Sequence, residues 1–297
     1  MTKLPTSSGQ ALLIVVLSLA VVLTIVLSIL ARSVTDIKIS TGSENALRAF
    51  SAAEAGVERA LIAGGSIGAT QIGDATFTAN VTEIGEGSNE FANPSPLFSG
   101  ETSLFWFVAH DNDGNLACDL TNNCFTGSRI KLCWGKEGTS GSTSETPAIE
   151  ATVVYAETPG DYSTLRVARE AIDPNASRTS SNNFSSPDSG GCTLGSQNFA
   201  FQKTITLGSL GIPSSSYGTV NGLQFLLVRM LYNESQSHDV GISVAFAGNS
   251  VLPAQGTTVD SLGSAGEANR KINVFQGFGE LPLPFGTVVF SPTGITK

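Results

Sequence analysis

The chain has 297 residues, 41% of them hydrophobic and only 14% charged, with a net charge of −9. That length allows one large domain or two smaller ones, and the composition excludes a disordered or collagen-like chain. Past residue 62 there are 11 Lys and Arg against 21 Asp and Glu, an acidic balance that repels phosphate backbones, so no nucleic-acid partner is expected.

The chain opens on a few small polar residues and then runs from Ala11 to Ala31 without a charge, nearly all of it aliphatic. As a helix rising 1.5 Å per residue this run spans about 30 Å, the hydrocarbon thickness of a bilayer. A secretory signal has a shorter apolar run, about 7–15 residues, before its cleavage site. A membrane anchor fits better, but it leaves the next thirty residues or so unexplained. From Arg32 to Ile62 there is no proline, and Gly42 and Gly56 are the only glycines. Leu47, Phe50, Val57 and Leu61 recur at three- and four-residue steps, which predicts an apolar stripe on a helix. Glu44 and Arg48 make an i,i+4 pair on its exposed side. With an end expected at Gly64-Gly65, one helix of about 50 residues projects about 75 Å. Glu54 falls inside the predicted stripe. It either reaches water from the stripe's edge or makes a polar contact with a neighbouring subunit's helix.

A short polar leader ending in Gly9, an apolar helix starting at once, and then "RAFSAAEAGVERAL" (48–61) resemble the type IV pilin superfamily. Within it the likeness is to the minor pilins of type IV pili and the large tip pseudopilin of type II secretion. It covers about 55 residues. The resemblance implies cleavage between Gly9 and Gln10 by a prepilin peptidase on the cytoplasmic side, which then methylates the new N-terminus at Gln10. It also implies a helix that packs into the core of a filament, with other pilin or pseudopilin subunits, an inner-membrane assembly platform and membrane lipid as partners. Two positions depart from the family pattern. Gln10 stands where an aromatic residue or methionine is usual, and Ile14 stands where a glutamate is usual at the fifth mature position. In the family that carboxylate pairs with a neighbouring subunit's N-terminal amine, and an unpaired charge in hydrocarbon is costly. Ile14 therefore suits a subunit at the tip, or one that is first to assemble; it suits equally a low-abundance subunit inside the filament or one that never polymerises. The flanks agree in sign: Lys3 and the free amine precede the apolar run, while Arg32 and Lys38 are mixed with Asp36 after it. This modest positive-inside bias leaves residues 1–9 in the cytoplasm and the rest of the chain outside.

After residue 65 the pattern changes to short β-rich runs separated by Gly, Pro, Asn and Ser. Strands are expected at 75–84, 103–109, 129–134, 149–156, 164–170, 199–207, 223–231, 240–246, 270–276 and 286–290, with turns at Leu207-Gly208 and Asn221-Gly222. Two Ser/Thr/Gly/Asn-rich stretches, 135–146 and 175–191, read as exposed loops, and the second could divide the region into two lobes. The expected fold class is α+β: a leader (1–9), a long pilin-type helix (10–64) with its membrane segment at 11–31, and a mainly antiparallel β-rich domain (65–297).

Little in this region announces chemistry. Cys118, Cys124, Cys133 and Cys192 contain no CxxC. Outside the cytoplasm they allow two disulfides in three pairings, of which Cys118 with Cys124 and Cys133 with Cys192 is preferred on loop-closure grounds. In "HDNDGN" (110–115), Asp111, Asp113 and Asn115 offer hard oxygens at alternate positions, which suits calcium. An EF-hand would need glycine and glutamate where Leu116 and Asn122 stand, and Asp-Asn-Asp-Gly is also a good turn between strands. His110 reads as a surface residue, His238-Asp239 as a turn and Glu280 as part of a proline-stiffened segment that edges a sheet, and no nucleophile, metalloprotease or phosphate-loop motif is visible. The four N-x-S/T matches, at Asn80, Asn175, Asn183 and Asn233, carry little weight in a bacterial envelope protein. The expected function is structural, not enzymatic, with no cofactor beyond the calcium candidate. The rivals are a membrane-anchored adhesin that never polymerises and an exported glycan-active enzyme, which would need paired carboxylates in a pocket.

Overall fold

The computed structural model describes residues 8–111, 114–118, 123–246 and 251–279. In chain order the elements are α1 (Ser8–Ala63), β1 (Ile67–Ile72), β2 (Ala75–Ile84), β3 (Glu90–Ala92), β4 (Thr102–Trp106), β5 (Ala109–His110) and β6 (Leu116–Ala117). They continue with β7 (Arg129–Lys136), β8 (Ala148–Ala156), β9 (Leu165–Ile172), α2 (Ala176–Asn182), β10 (Cys192–Leu194) and β11 (Gln197–Thr206). The last are α3 (Ser214–Tyr217), β12 (Leu223–Leu231), β13 (Val240–Ser243), β14 (Gly256–Ala265) and β15 (Ala268–Gly277). The long apolar helix followed by antiparallel sheets agrees with the α+β expectation. The expected strand at 286–290, Glu280 and residues 1–7 of the leader lie outside the described residues.

The chain forms two compact units, residues 1–81 with 259–274 and residues 82–258 with 275–297. The first holds α1, an uninterrupted helix of 56 residues. No proline breaks it, and its end is the expected one. Gly64 takes the left-handed conformation (φ 63°) and the Gly65 N–H reaches back to the Ala60 carbonyl at 3.3 Å, so that this terminal carbonyl does not go wanting. Residues 12–44 are exposed on every side. Beyond them α1 lies on a four-stranded sheet of order β1-β2-β14-β15.

The contact between α1 and that sheet is built from small side chains. Ala49, Ala52, Ala53, Val57 and Ala60 are buried against Phe77, Ala79, Val259 and Ala265. A Cβ on Gly56 would strike Ser261 Oγ and come within 2.8 Å of the Phe77 ring. Only small residues let a helix backbone come this near a strand, because each added methyl group would force the two apart.

In the second unit two antiparallel sheets, β10-β11-β7-β13-β3 and β4-β12-β8-β9, share one apolar core. Leu132 and Trp134 of β7, flanked by Val240 and Ile242 of β13, enter it from one sheet. The row Phe105, Leu226, Val153, Ala168 enters it from the other. Gln255, buried, takes the place of a strand partner for β4: its Oε1 accepts the Trp106 N–H at 2.8 Å and its Nε2 donates to the Trp106 carbonyl at 2.9 Å.

The expected strand at 103–109 is broken into β4 and β5, and five strands (β1, β3, β6, β10 and β14) arise where none was expected. The segment 175–191 does not divide the region. Chain from after it returns to pair with chain from before it, β11 with β7 and β12 with both β4 and β8. Nor are the two polar stretches simply exposed loops. The second contains α2, capped by the Asn175 side chain, which accepts the Ser177 N–H at 3.0 Å. Arg178 of α2 grips Asp173, Nη2 to Oδ1 at 2.7 Å and Nε to Oδ2 at 3.0 Å, and donates to the carbonyls of Ser144 and Thr146 in the first stretch. Polar sequences fold here because each buried polar group has a partner.

Candidate functional site

On α1, the Gly9–Gln10 bond lies in the first turn, and Ile14 lies one turn further on, 64% exposed. The predicted stripe is corrected by the structure. Of Leu47, Phe50, Val57 and Leu61 only Val57 is buried; Leu47 is 68%, Phe50 44% and Leu61 38% exposed. The alanines and Gly56 take the inner face because β14 leaves no room for anything larger. Glu54 is therefore exposed and belongs to the outer face. At about 100° per residue, Leu47, Phe50, Glu54 and Leu61 fall within about 60° of one another. Three large exposed apolar residues thus surround a carboxylate, with Leu47 also edging a hollow beside Ile72 and Ala75. The Glu44–Arg48 pair forms at 2.6 Å, and Arg48 also reaches Asp74 at 3.5 Å.

The calcium candidate "HDNDGN" closes the β5–β6 hairpin. Asp111 Oδ1 accepts the Asn115 N–H at 2.8 Å, and the Asp111 carbonyl accepts the Gly114 N–H at 2.9 Å. Gly114 has φ 80°, a left-handed conformation that glycine adopts without strain. The Asn115 amide donates to both carboxylate oxygens of Asp111, at 3.4 and 3.2 Å. Two of the three candidate side chains, Asp111 and Asn115, are turned on each other. Asp113 lies outside the described residues. Among the described residues no group of three or more His, Cys, Asp or Glu side chains is placed to hold a metal ion.

The four cysteines form two disulfides, Cys118–Cys124 and Cys133–Cys192. The second ties β10 to β7 beneath Leu194 and Phe199. His238, expected as a turn residue, is 1% exposed; its Nδ1 accepts the Lys136 N–H at 3.1 Å, and burial first, then the nearby Lys136 charge, hold its pKa below the ordinary range. His110 stacks on Phe278 at 4.1 Å and meets Trp106 edge-on at 4.5 Å. Of the N-x-S/T asparagines, Asn175 and Asn233 are buried and Asn80 is exposed. Asn183 ends α2 in the left-handed region, with φ 58°.

The sequence did not announce one surface feature. Strand register lines up Trp106, Phe225, Val154 and Val167 side by side across β4, β12, β8 and β9, on the face turned away from the core. The row is partly covered at Trp106 and open at Val167, which is 55% exposed. The four runs were visible as strands, but only pairing could align them into one row.

Searches of protein-family models, of curated proteins and of solved structures return no match to this chain. The described residues hold one helix long and apolar enough to cross a membrane.

Proposed function

We propose that this chain is a structural subunit of a type IV class filament, of the minor pilin or tip pseudopilin kind. One observation carries the reading: α1 keeps an apolar-sided face (Leu47, Phe50, Glu54, Leu61) free while its small-residue face is spent on its own sheet. A helix that served only as an anchor would have no use for that second face. Large exposed apolar residues in a row mark an interaction surface, and here the row continues a segment fit to lie in a membrane.

In this reading the helix holds the chain in the inner membrane with residues 1–9 in the cytoplasm. The prepilin peptidase cuts after Gly9 and methylates Gln10. The assembly platform then draws the subunit out of the lipid, and the apolar helix is buried among neighbouring subunits. Burial at about 25 cal/mol per Å² of apolar surface drives the packing. Ile14 offers no carboxylate to a neighbour's amine, which supports a position at the tip or at the start of assembly. The role calls for no catalysis and no cofactor. Mass spectrometry of the mature N-terminus tests the reading: a methylated Gln10 is expected, and a start at Arg32 would overturn it. Replacing Gly9 should abolish processing and assembly together.

A second reading, a membrane-anchored binding module that does not polymerise, draws on the Trp106–Phe225–Val154–Val167 row. It requires that the Gly9 substitution leave processing and surface display unchanged.

A further inference from the structure

The outward face of the sheet β4-β12-β8-β9 is apolar beyond the row that starts at Trp106. One step along the strands, Leu104 of β4 pairs with Leu227 of β12, and Leu227 with Thr152 of β8. All three are buried, Leu104 to 8% and Leu227 to 9% exposure, although they stand on the side opposite the core that Phe105, Leu226 and Val153 enter. Leu104 and Leu227 belong to none of the apolar clusters formed by the described side chains. Exposure also changes across the sheet. Trp106, Phe225 and Val154 are half-buried, whereas Val167, on the far edge strand, is open. The face is thus closed from the β4 side. The last described residues lie beside that side: Phe278 stacks on His110 at 4.1 Å, and His110 meets Trp106 edge-on at 4.5 Å.

Two residues after Phe278 the sequence reads "ELPLPFGTVVF" (280–290), with Glu280 and Thr287 its only polar side chains. In an extended run Leu281, Leu283 and Phe285 fall on one side, since side chains alternate along such a chain. Pro282 and Pro284 have no N–H to give to a ladder. At the β4 edge, moreover, the Trp106 N–H and carbonyl are already taken by Gln255. Joining the sheet at that edge is therefore disfavoured, whereas lying over its face is not. We infer that residues 281–290 of the same chain cross this outward face as a strap. It enters at Trp106 and lays Leu281, Leu283 and Phe285 over Leu104, Phe225 and Leu227. The reach is ample: three strand spacings of about 4.8 Å separate Trp106 from Val167, against about 33 Å for ten extended residues. Attachment through Phe278 also gives the strap a high effective concentration at the face, which favours it over the same segment of another copy. A partner that docks on the Trp106–Val167 row must then displace the strap. None of this depends on how α1 is processed.

The test uses the full-length chain in detergent micelles, with the photoreactive residue p-benzoylphenylalanine in place of Phe285. Irradiation should join position 285 to peptides of β4 or β12 within one chain. A mixture of isotope-labelled and unlabelled chains should then give no mixed product. No link, a link only to other parts of the chain, or a mixed product, which would mean that a second copy supplies the segment, overturns the proposal. A second measurement reads the face itself. The chain has two tryptophans, and Trp134 is fully buried in the core, so quenching of fluorescence by acrylamide reports on Trp106. Leu281→Ser/Leu283→Ser/Phe285→Ser should raise the quenching constant and leave the circular dichroism spectrum as it was. These substitutions alter no side chain of the core, so folding is not at stake. Quenching that stays the same in this variant overturns the strap.

Discussion

Gly263 of β14 sits directly against Ala49 of α1: a Cβ at 263 would collide with the Ala49 carbonyl oxygen and reach the Ala53 nitrogen within 2.6 Å. The helix can rest on the sheet only because both positions are small. Gly263→Val should destabilise this unit by about 1–3 kcal/mol, the usual cost of overpacking a closed contact. Gly42, with nothing within 4 Å, should tolerate alanine. Denaturant titrations of the full chain in one detergent, followed by amide exchange in α1, would compare the two.

Arg178 and Asp173 should prove the most sensitive polar pair. The Asp173 side chain is fully buried and that of Arg178 only 18% exposed. Arg178→Met would leave a buried carboxylate held only by Asn182 and the Asn175 N–H, and a loss of about 3–5 kcal/mol is expected. Adding Asp173→Asn should recover part of it, since the uncompensated charge goes. An equal loss in the single and double variants would show that packing, not charge, sets the cost.

The two disulfides should differ in worth. Cys133–Cys192 closes a sequence separation of 59 residues and Cys118–Cys124 one of 6. In the loop-entropy account, removal by paired Cys→Ser substitution costs about 4 kcal/mol for the first and about 2 kcal/mol for the second. Unfolding midpoints of the two pair variants would read the order directly.

His238 should give the fold a pH dependence of definite sign. Burial and Lys136 lower its pKa from the ordinary 6.5, against the opposite pull of Asp239 and Glu145. Above about pH 6.5 neither the folded nor the unfolded chain protonates it, and stability is at its full value. As the pH falls below that, the unfolded chain takes up a proton that the folded one refuses, and stability is lost until the folded pKa is passed. His110, also lowered by burial, acts in the same direction. His238→Gln should flatten the curve of unfolding midpoint against pH between 5 and 7 without abolishing it. An unchanged slope would refute the assignment.

Much of the fold was legible because it rests on local signals. Glycine at 64 ends α1 whatever surrounds it. The alternation in β2 marks it as a strand with one covered face, and the short apolar runs of β8 and β12 mark strands covered over most of their length. What escaped had no apolar signal. In β14 the buried positions include Ser261, Gly263 and Ala265, residues that pack by being small and look like turn residues in sequence. The same cause misplaced the stripe on α1. Periodicity pointed to the large residues, whereas the available space was fit for alanine. Arg178, Asp173 and Asn175 were hidden in a polar stretch because a polar residue acquires a buried role only through partners distant in sequence.

By itself, then, the sequence determined a long membrane-compatible helix followed by an acidic, β-rich chain, since period, length and charge are properties of consecutive residues. Only the tertiary structure decided which side of that helix is closed. The side facing β14 had to be the one that could come within backbone reach, and so Leu47, Phe50, Glu54 and Leu61 were left exposed.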